Sequence, residues 1–357
     1  MNFARADEND LKSSALRELV SCSFYRADDT KMAAFLHRAF SGKTRTYLAV
    51  DGADLLGHVT VAENGELGPG GGLTIESMSV RAEYRRKGVG RFLLHGLRTR
   101  LHARVMVVET DDDAVGFYHR CGFRVRSLGE VYPGTVRYRC RYDETAWAPL
   151  PYRDAIDSLQ RYGVRAWVAG GWALDLFHGR QTRAHADTDI VICRRDQNLL
   201  FAAFPGWEVY RTQAPGLALW TGDNCLQTAP NVWLRGDQDS PWSLEVMFLD
   251  TEGDAWIYRR NTSIRGPIDD VGLVTSDGVP YLRPEIQLLY KGGSSDLREK
   301  DTKDLLNILP ILPEASRSWL RRSLLTQFPQ GHIGWTTLTS SQPGGLTTKV
   351  KRRCADE

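Results

Sequence analysis

The first 146 residues contain no tryptophan, although the chain has ten; all of them lie at or beyond Trp147. A shift that abrupt points to two modules of different origin. Cysteine is sparse as well. The six cysteines, at 22, 121, 140, 193, 225 and 354, form no CxxC pair and have no finger spacing to histidine. This argues against a disulfide scaffold or a zinc ribbon and reads as scattered thiols of a reducing cytoplasm. No stretch approaches the roughly 18 apolar residues of a membrane span. The polar start MNFARADENDLK lacks the apolar segment of a signal peptide, so a cytoplasmic location is expected. An excess of charge is missing too. Forty-six Lys and Arg against 44 Asp and Glu leave a formal charge of +2. No global field attracts nucleic acid or a membrane, and neither is expected as a partner. No internal repeat is visible.

What remains is ordinary globular material, 42% hydrophobic and 25% charged over 357 residues, enough for two cores. Pro149 and Pro151 interrupt the pattern at DETAWAPLPYRD. The expected division is 1–146, 147–339 and a polar, mobile tail at 340–357. The first part alternates helices and strands: a helix near 28–40, strands TRTYLAV, LLGHVTVAE and LTIESMSV, a helix from about Gly90 to Ala103, then RVMVVET, a helix AVGFYHRC, and strands FRVRSLGE and TVRYRCRY. The second part opens with a helix near 152–162, strand RAWVAG, helix WALDLFHG and strand DIVIC. Strands WEVY, LALWTG, NVWLR and SLEVMFL follow, and then a helix PEIQLLYKG. The fold class is therefore a two-domain α+β or α/β protein.

In the first part, strand TIESMSV leads into Arg85-Arg86-Lys87-Gly88-Val89-Gly90 at the start of a helix. Free N–H groups and the positive dipole end suit a phosphate there, and two glycines let backbone approach it. A basic turn before a helix looks the same. After RVMVVET comes AVGFYHRCGF. Together these segments resemble the GNAT acetyltransferase superfamily over nearly all of residues 1–145. The resemblance implies a central mixed sheet flanked by helices and an acetyl-CoA pyrophosphate held by Arg85, Arg86, Lys87, Gly88, Val89 and Gly90. It also implies pantetheine pairing with the backbone of Met78 and Val80, and Tyr118 as the acid that returns a proton to the CoA thiolate. Ala114, Phe117, Tyr118, Gly122 and Phe123 match the family's A-x-x-F-Y-x-x-x-G-F segment. Asp111 stands where the family often has asparagine. Glu76, on the strand leading to the turn, is a candidate base for the acceptor amine; a solvated strand residue is the other reading.

In the second part, Gly170-Gly171 follows an apolar strand, and Asp187 and Asp189 precede IVIC. Residues two apart on an extended segment project to one side. Two carboxylates converging there suit a hard cation, which cancels their repulsion. A turn with one capping aspartate gives the same letters, and His185 beside it fits capping or packing as well as a phosphate. The ordered set GG and GRxTRxHxDxDI resembles the nucleotidyltransferase superfamily, and most closely its aminoglycoside and lincosamide group, over about 150–310. That implies a mixed sheet with helices, Mg²⁺ on Asp187 and Asp189, and ATP or another nucleoside triphosphate as donor. It implies a third carboxylate at Glu245, both ligand and catalytic group, where aspartate is more usual. Gly170, Gly171, Arg180, Arg183 and Lys291 become nucleotide contacts. Lys300, Asp301 and Asp304 match the group's helical part and read equally as a solvated helix.

The function this implies is a bifunctional antibiotic-modifying enzyme. One domain would acetylate an amine and the other would transfer a nucleotide to a hydroxyl, both groups being carried by an aminoglycoside-like small molecule. Two alternatives stay open: a toxin-type modifier of tRNA or protein, and one active domain beside a degenerate ligand-sensing one.

Overall fold

The computed structural model describes residues 1–24, 27–65, 72–212, 216–293, 297–332 and 335; the expected tail at 340–357 lies outside them. Packing divides the chain into two compact units. The first holds Met1–Pro149 with Phe204–Val246, and the second Leu150–Ala203 with Met247–Glu357. This differs from a single cut after residue 146, because a segment distant in sequence supplies part of the first unit.

The first unit is built on β1 (Asn2–Arg5), α1 (Glu8–Lys12), α2 (Ser14–Ser21), α3 (Asp29–Phe40), β2 (Arg45–Asp51), β3 (Asp54–Asn64), β4 (Gly72–Val80), α4 (Val89–Arg100), β5 (Val105–Asp111), α5 (Asp112–Arg120), β6 (Arg124–Tyr132) and β7 (Thr135–Asp143). The strands form one sheet in the order β1-β2-β3-β4-β5-β7-β6. All neighbours are antiparallel except β4 and β5. That parallel ladder is short, running from Leu73–Met106 to Ile75–Val108. Beyond it, Ser77–Val80 pair with β3 and with no other described strand. α4 forms because Val89, Leu93, Leu94 and Leu97 recur at helical spacing and are buried. Burial of a leucine side chain contributes about 1.5–3 kcal/mol. Gly96 lets this helix lie on the Phe3 ring, which a Cβ would meet at 2.3 Å; Phe3 in turn stacks on Tyr47, with centroids 5.1 Å apart. β1 is thus held by its ladder to β2 and by this aromatic anchor, a signal too short to read as a strand.

Residues 204–246 add the strands Glu208–Arg211, Ala218–Trp220 and Asn231–Arg235, with the first pairing antiparallel to both others. Tyr210, Leu217 and Trp242 join the same core as Leu93, Tyr118 and Phe123.

In the second unit, strand Ala166–Val168 pairs antiparallel with Asp189–Cys193 and parallel with Pro280–Leu282, which pairs antiparallel with Gly272–Val274. Helices Tyr152–Gln160, Gly170–His178, Pro284–Gly292, Glu299–Ile308 and Glu314–Gln327 accompany them. Ile156, Leu159, Val168, Leu174, Ile190, Ile192, Leu288, Leu320 and Leu324 are buried. Among the described residues no helix is long and apolar enough to cross a membrane.

One polar relay is buried in the first unit. Ser79 Oγ donates to the Leu19 carbonyl of α2, leaving its oxygen to accept from His58 Nδ1 at 3.1 Å. His58 Nε2 then accepts from Ser77 Oγ at 3.2 Å. Full burial pushes the imidazole pKa down to about 3, so the ring is neutral when folded. Unfolded, it titrates near 6.5. Between those values the unfolded chain binds a proton that the folded chain refuses, so stability is full above pH 6.5 and declines as pH falls. From pH 7 to 5 this one group costs about 2 kcal/mol. In urea melts of the first unit's transition, His58→Gln should lose correspondingly less stability over that interval than the native chain; an equal loss would refute the assignment.

Candidate active sites

In the first unit the loop from β4 to α4 is set by two left-handed residues, Arg86 (φ 62) and Gly88 (φ 87). Gly88 caps α4 without a side chain, and the N–H groups of Val89, Gly90 and Arg91 have no intrahelical acceptor, as at any helix start. Gly90 is fixed by packing: a Cβ there would lie 2.9 Å from Phe117 Cζ. The helix start therefore rests on the aromatic ring of α5, which physically joins the two segments quoted from the sequence. Arg85, Arg86 and Lys87 are exposed. Arg85 Nε donates to the Val80 carbonyl at 3.2 Å, and the Lys87 ammonium sits 5.4 Å from the Tyr84 ring centre. Free donors, a dipole end and three cations make this a place for a polyanion.

Tyr118 lies in the last turn of α5, edge-on to Phe117 and Phe123. Burial, followed by the neighbouring Cys140, Cys121 and Asp111, pushes its pKa well above the ordinary phenol range. The hydroxyl keeps its proton at neutral pH, as a proton donor must. Asp111 caps α5 and is met by Arg137 at 3.8 Å. Glu76 is the extra residue of a β-bulge, since Thr60 pairs with Ser77 and Val61 with Ile75. Both its carboxylate oxygens accept from Arg38, one from Nε at 3.2 Å. Met78 and Val80 follow on the part of β4 beyond the β5 ladder.

In the second unit the glycine pair is explained atom by atom. Gly170 has φ +63, and a Cβ there would lie 1.8 Å from Asp189 Oδ2. At Gly171 a Cβ would come 2.3 Å from His185 Cε1 and 2.4 Å from an Arg183 guanidinium nitrogen. Gly170 N donates to Gln287 Oε1 at 2.8 Å, and Ala169 N to the Asp189 carbonyl at 2.8 Å. A helix start is thus held against the carboxylate that opens strand Asp189–Cys193. His185 is held in place on two sides. Its Nε2 bonds Asp175 at 2.5 Å and its ring lies 4.4 Å from that of Trp172. Asp175 also accepts from Thr182 N and Oγ1. Asp187 and Asp189 are half-buried.

Arg298 was not legible as a site residue. Its guanidinium is held above its ordinary value, first by hydrogen bonds to Asp301 and, against an opposing burial effect, by the charges of Asp301, Asp189 and Asp187. Lys291 is gripped by two buried carboxylates, Asp301 at 3.0 Å and Asp304 at 2.9 Å. Arg183 spends its fork on Asp304, at 3.0 and 3.2 Å. Burial alone would raise the Asp304 carboxyl, but hydrogen bonds from Arg183 and the Lys291 charge hold it below the ordinary range. Arg180 is exposed. Glu245 belongs to the first unit, on strand Leu244–Glu252, and accepts from Asn231 Nδ2. Among the described residues no group of three or more His, Cys, Asp or Glu side chains is arranged to hold a metal ion. Two carboxylates nevertheless fit Mg²⁺, which commonly takes one or two from the protein and the rest from phosphates and water.

Two outcomes follow. Gly170→Ala should displace the Asp189 carboxylate, cost about 1–3 kcal/mol in strain and lower nucleotidyl transfer at least about tenfold. A variant with native rates would show that Asp189 does not depend on this contact. Lys291→Met should unfold early, losing about 3–5 kcal/mol because Asp301 and Asp304 stay buried with less compensation. Unchanged denaturation with weakened nucleotide binding would instead make Lys291 a phosphate ligand.

Residues 13–123 match the model of the acetyltransferase (GNAT) family, and residues 153–212 match that of aminoglycoside-2''-adenylyltransferase. No curated protein matches the chain. Similar solved structures include the aminoglycoside 6'-N-acetyltransferase from Enterococcus faecium, at 16% identity and TM-score 0.34, covering 42% of this chain and 99% of that one. Another is the IAA acetyltransferase from Bacillus cereus, at 18% and 0.30, covering 39% and 95%. A third is the ribosomal-protein-S18-alanine N-acetyltransferase from Escherichia coli, at 15% and 0.33, covering 40% and 92%. The chain joins a GNAT acetyltransferase domain to an aminoglycoside-2''-adenylyltransferase domain, and both are transferases.

Proposed function

We propose that the chain is a bifunctional enzyme that modifies an aminoglycoside-like antibiotic, acetylating an amine from acetyl-CoA and transferring a nucleotide from ATP, or another nucleoside triphosphate, to a hydroxyl. The observation that carries this reading is that a helix start stripped of side chain stands at both sites, Gly90 on Phe117 and Gly170 on Asp189. Free N–H groups at a helix start suit a phosphate chain. The two family matches cover these same segments.

In acetyl transfer, the α4 start with Arg85, Arg86 and Lys87 holds the CoA pyrophosphate, and the backbone of Met78 and Val80 pairs with the pantetheine amides. Glu76 accepts the proton of the acceptor ammonium once Arg38 is drawn away from it. The amine nitrogen then attacks the thioester carbonyl, the C–S bond breaks, the thiolate takes the Tyr118 proton, and the nitrogen sheds its extra proton to solvent. In nucleotidyl transfer, the helix start at Gly170-Gly171 receives the triphosphate, with Arg180, Arg183 and Lys291 as its cationic surroundings. Asp187 and Asp189 would hold Mg²⁺, which when bound neutralises phosphate charge. The acceptor hydroxyl attacks the α-phosphorus and pyrophosphate leaves. Glu245 is the carboxylate that the resemblance offers as third ligand and base.

Mass spectrometry of an aminoglycoside panel incubated with acetyl-CoA, and separately with ATP and Mg²⁺, should find one-acetyl and one-nucleotide gains. Asp187→Asn or Asp189→Asn should abolish the nucleotide gain and spare the acetyl gain; Tyr118→Phe should slow the acetyl gain to a small residual rate and spare the nucleotide gain. No gain across the panel, or loss of both activities in a folded variant, would sink the proposal.

A further inference from the structure

The turn that follows Tyr118 is held by residues nearly a hundred positions away. α5 ends at Arg120, and Gly122 (φ +88) reverses the chain into β6. Such a turn leaves carbonyls at the helix end to be satisfied. Part of this is local: the Tyr118 carbonyl accepts from Cys121 N and Phe123 N, at 3.0 and 3.1 Å. The His119 carbonyl likewise accepts from Gly122 N at 2.9 Å, and residues 204–246 of the same unit add further bonds. Tyr210 Oη donates to the His119 carbonyl at 3.0 Å. Arg235 donates to the Gly122 carbonyl at 3.3 Å and to the Phe123 carbonyl at 3.4 Å.

Arg235 is itself fixed on every side. Only 1% of it is exposed. Its Nε donates to Glu208 at 2.9 Å and another nitrogen to Tyr210 Oη at 2.7 Å. Its guanidinium lies 4.8 Å from the Tyr210 ring centre and 4.9 Å from that of Trp242. Glu208 extends the cluster to α5 directly, bonding His119 Nε2 at 2.6 Å. Gly122 permits the fit, since a Cβ there would crowd Leu217 Cδ1 at 3.0 Å. A buried guanidinium with a matched carboxylate is costly to build and rigid once built. Placed at the C-terminal end of α5, its charge also complements the helix dipole.

We propose that Arg235 and Glu208 are positioning residues for acetyl transfer: they lock the last turn of α5 and so hold the Tyr118 hydroxyl where it gives its proton to the departing CoA thiolate. The proton leaves Tyr118 Oη for the sulfur, and the phenolate is re-protonated from solvent. The inference rests on the acetyltransferase reading of Tyr118 given above, and the test separates the two.

The experiment is a double-mutant cycle in the full chain with acetyl-CoA and an acceptor amine, comparing Arg235→Gln, Tyr118→Phe and the pair. Arg235→Gln should lower kcat about tenfold, leave the KM for acetyl-CoA within about twofold and enlarge the solvent deuterium isotope effect on kcat. In the Tyr118→Phe background the same substitution should cost nothing more. Glu208→Gln, which keeps the shape and the buried guanidinium, serves as the second variant should Arg235→Gln fail to fold, and follows the same pattern. Additive losses, or native kcat in a folded variant, would overturn the positioning role. Native acetyl transfer in Tyr118→Phe alone would overturn the underlying reading instead.

Discussion

At Gly170 the backbone of a helix start comes so close to the Asp189 carboxylate that no side chain fits between them. The second unit's site depends on this contact. It brings the positive end of a helix and the carboxylate that opens a strand to one point, so that opposite charges stand within one short span. The same device stands in the first unit, where Gly90 admits the Phe117 ring. There the neighbour is apolar and the charge comes instead from Arg85, Arg86 and Lys87. One backbone solution thus stands in two settings, and the difference lies in what faces the helix start: a carboxylate in the second unit, an aromatic ring flanked by cations in the first.

The charges around the second site sort themselves by burial. Lys291, Asp301 and Asp304 are each at most 6% exposed in their side chains and are joined to one another, with Arg183 on Asp304. Ions taken out of water this far are held by their partners, and removing one strands the others. They form a frame that ties helix Pro284–Gly292 to helix Glu299–Ile308. Arg298 differs. Its side chain is 61% exposed and bonded to Asp301, yet it feels Asp187 and Asp189. The frame therefore presents a solvent-facing cation toward the carboxylate pair, while Lys291 serves inside it. The family resemblance made Lys291 one candidate phosphate contact, with Arg180 and Arg183. Only the packing of Asp301 and Asp304, a helix away, shows it to be engaged.

Legibility followed the range of the interactions. Strand Asp189–Cys193 and helix Pro284–Gly292 were readable because their apolar patterns are strong and local. The helix Glu314–Gln327, EASRSWLRRSLLTQ, was missed because charged residues dilute its apolar face and only Leu320, Ser323 and Leu324 are buried. β1 and the capping box of Asp7 and Asp10 were hidden in a polar start. At the sites, the residues that touch through a glycine were legible, since a missing Cβ leaves a mark in the sequence. Gln287, Asp175 and Arg298 left none: each is an ordinary polar residue whose meaning comes from a partner over a distance in sequence. Arg235 is the extreme case, an arginine in NVWLR that reads as a strand end and proves to be fully buried.

The buried Arg235 also constrains how the chain can fold. The first unit includes residues 204–246, and the second includes residues from Met247 on. Neither is a contiguous stretch, so contacts of high sequence separation must form before either core is complete, which slows folding and exposes intermediates. A guanidinium that needs Glu208, Tyr210 and the Gly122 and Phe123 carbonyls at once cannot be satisfied part-way. Until it docks, the end of α5 lacks partners and the charge resists burial. Once it docks, several bonds form together, which favours an all-or-none closure over a loose one. The segment 204–246 that packs in the first unit overlaps the one matched to the adenylyltransferase family at 204–212. A boundary drawn on family resemblance alone would therefore cut through the packing of the first core.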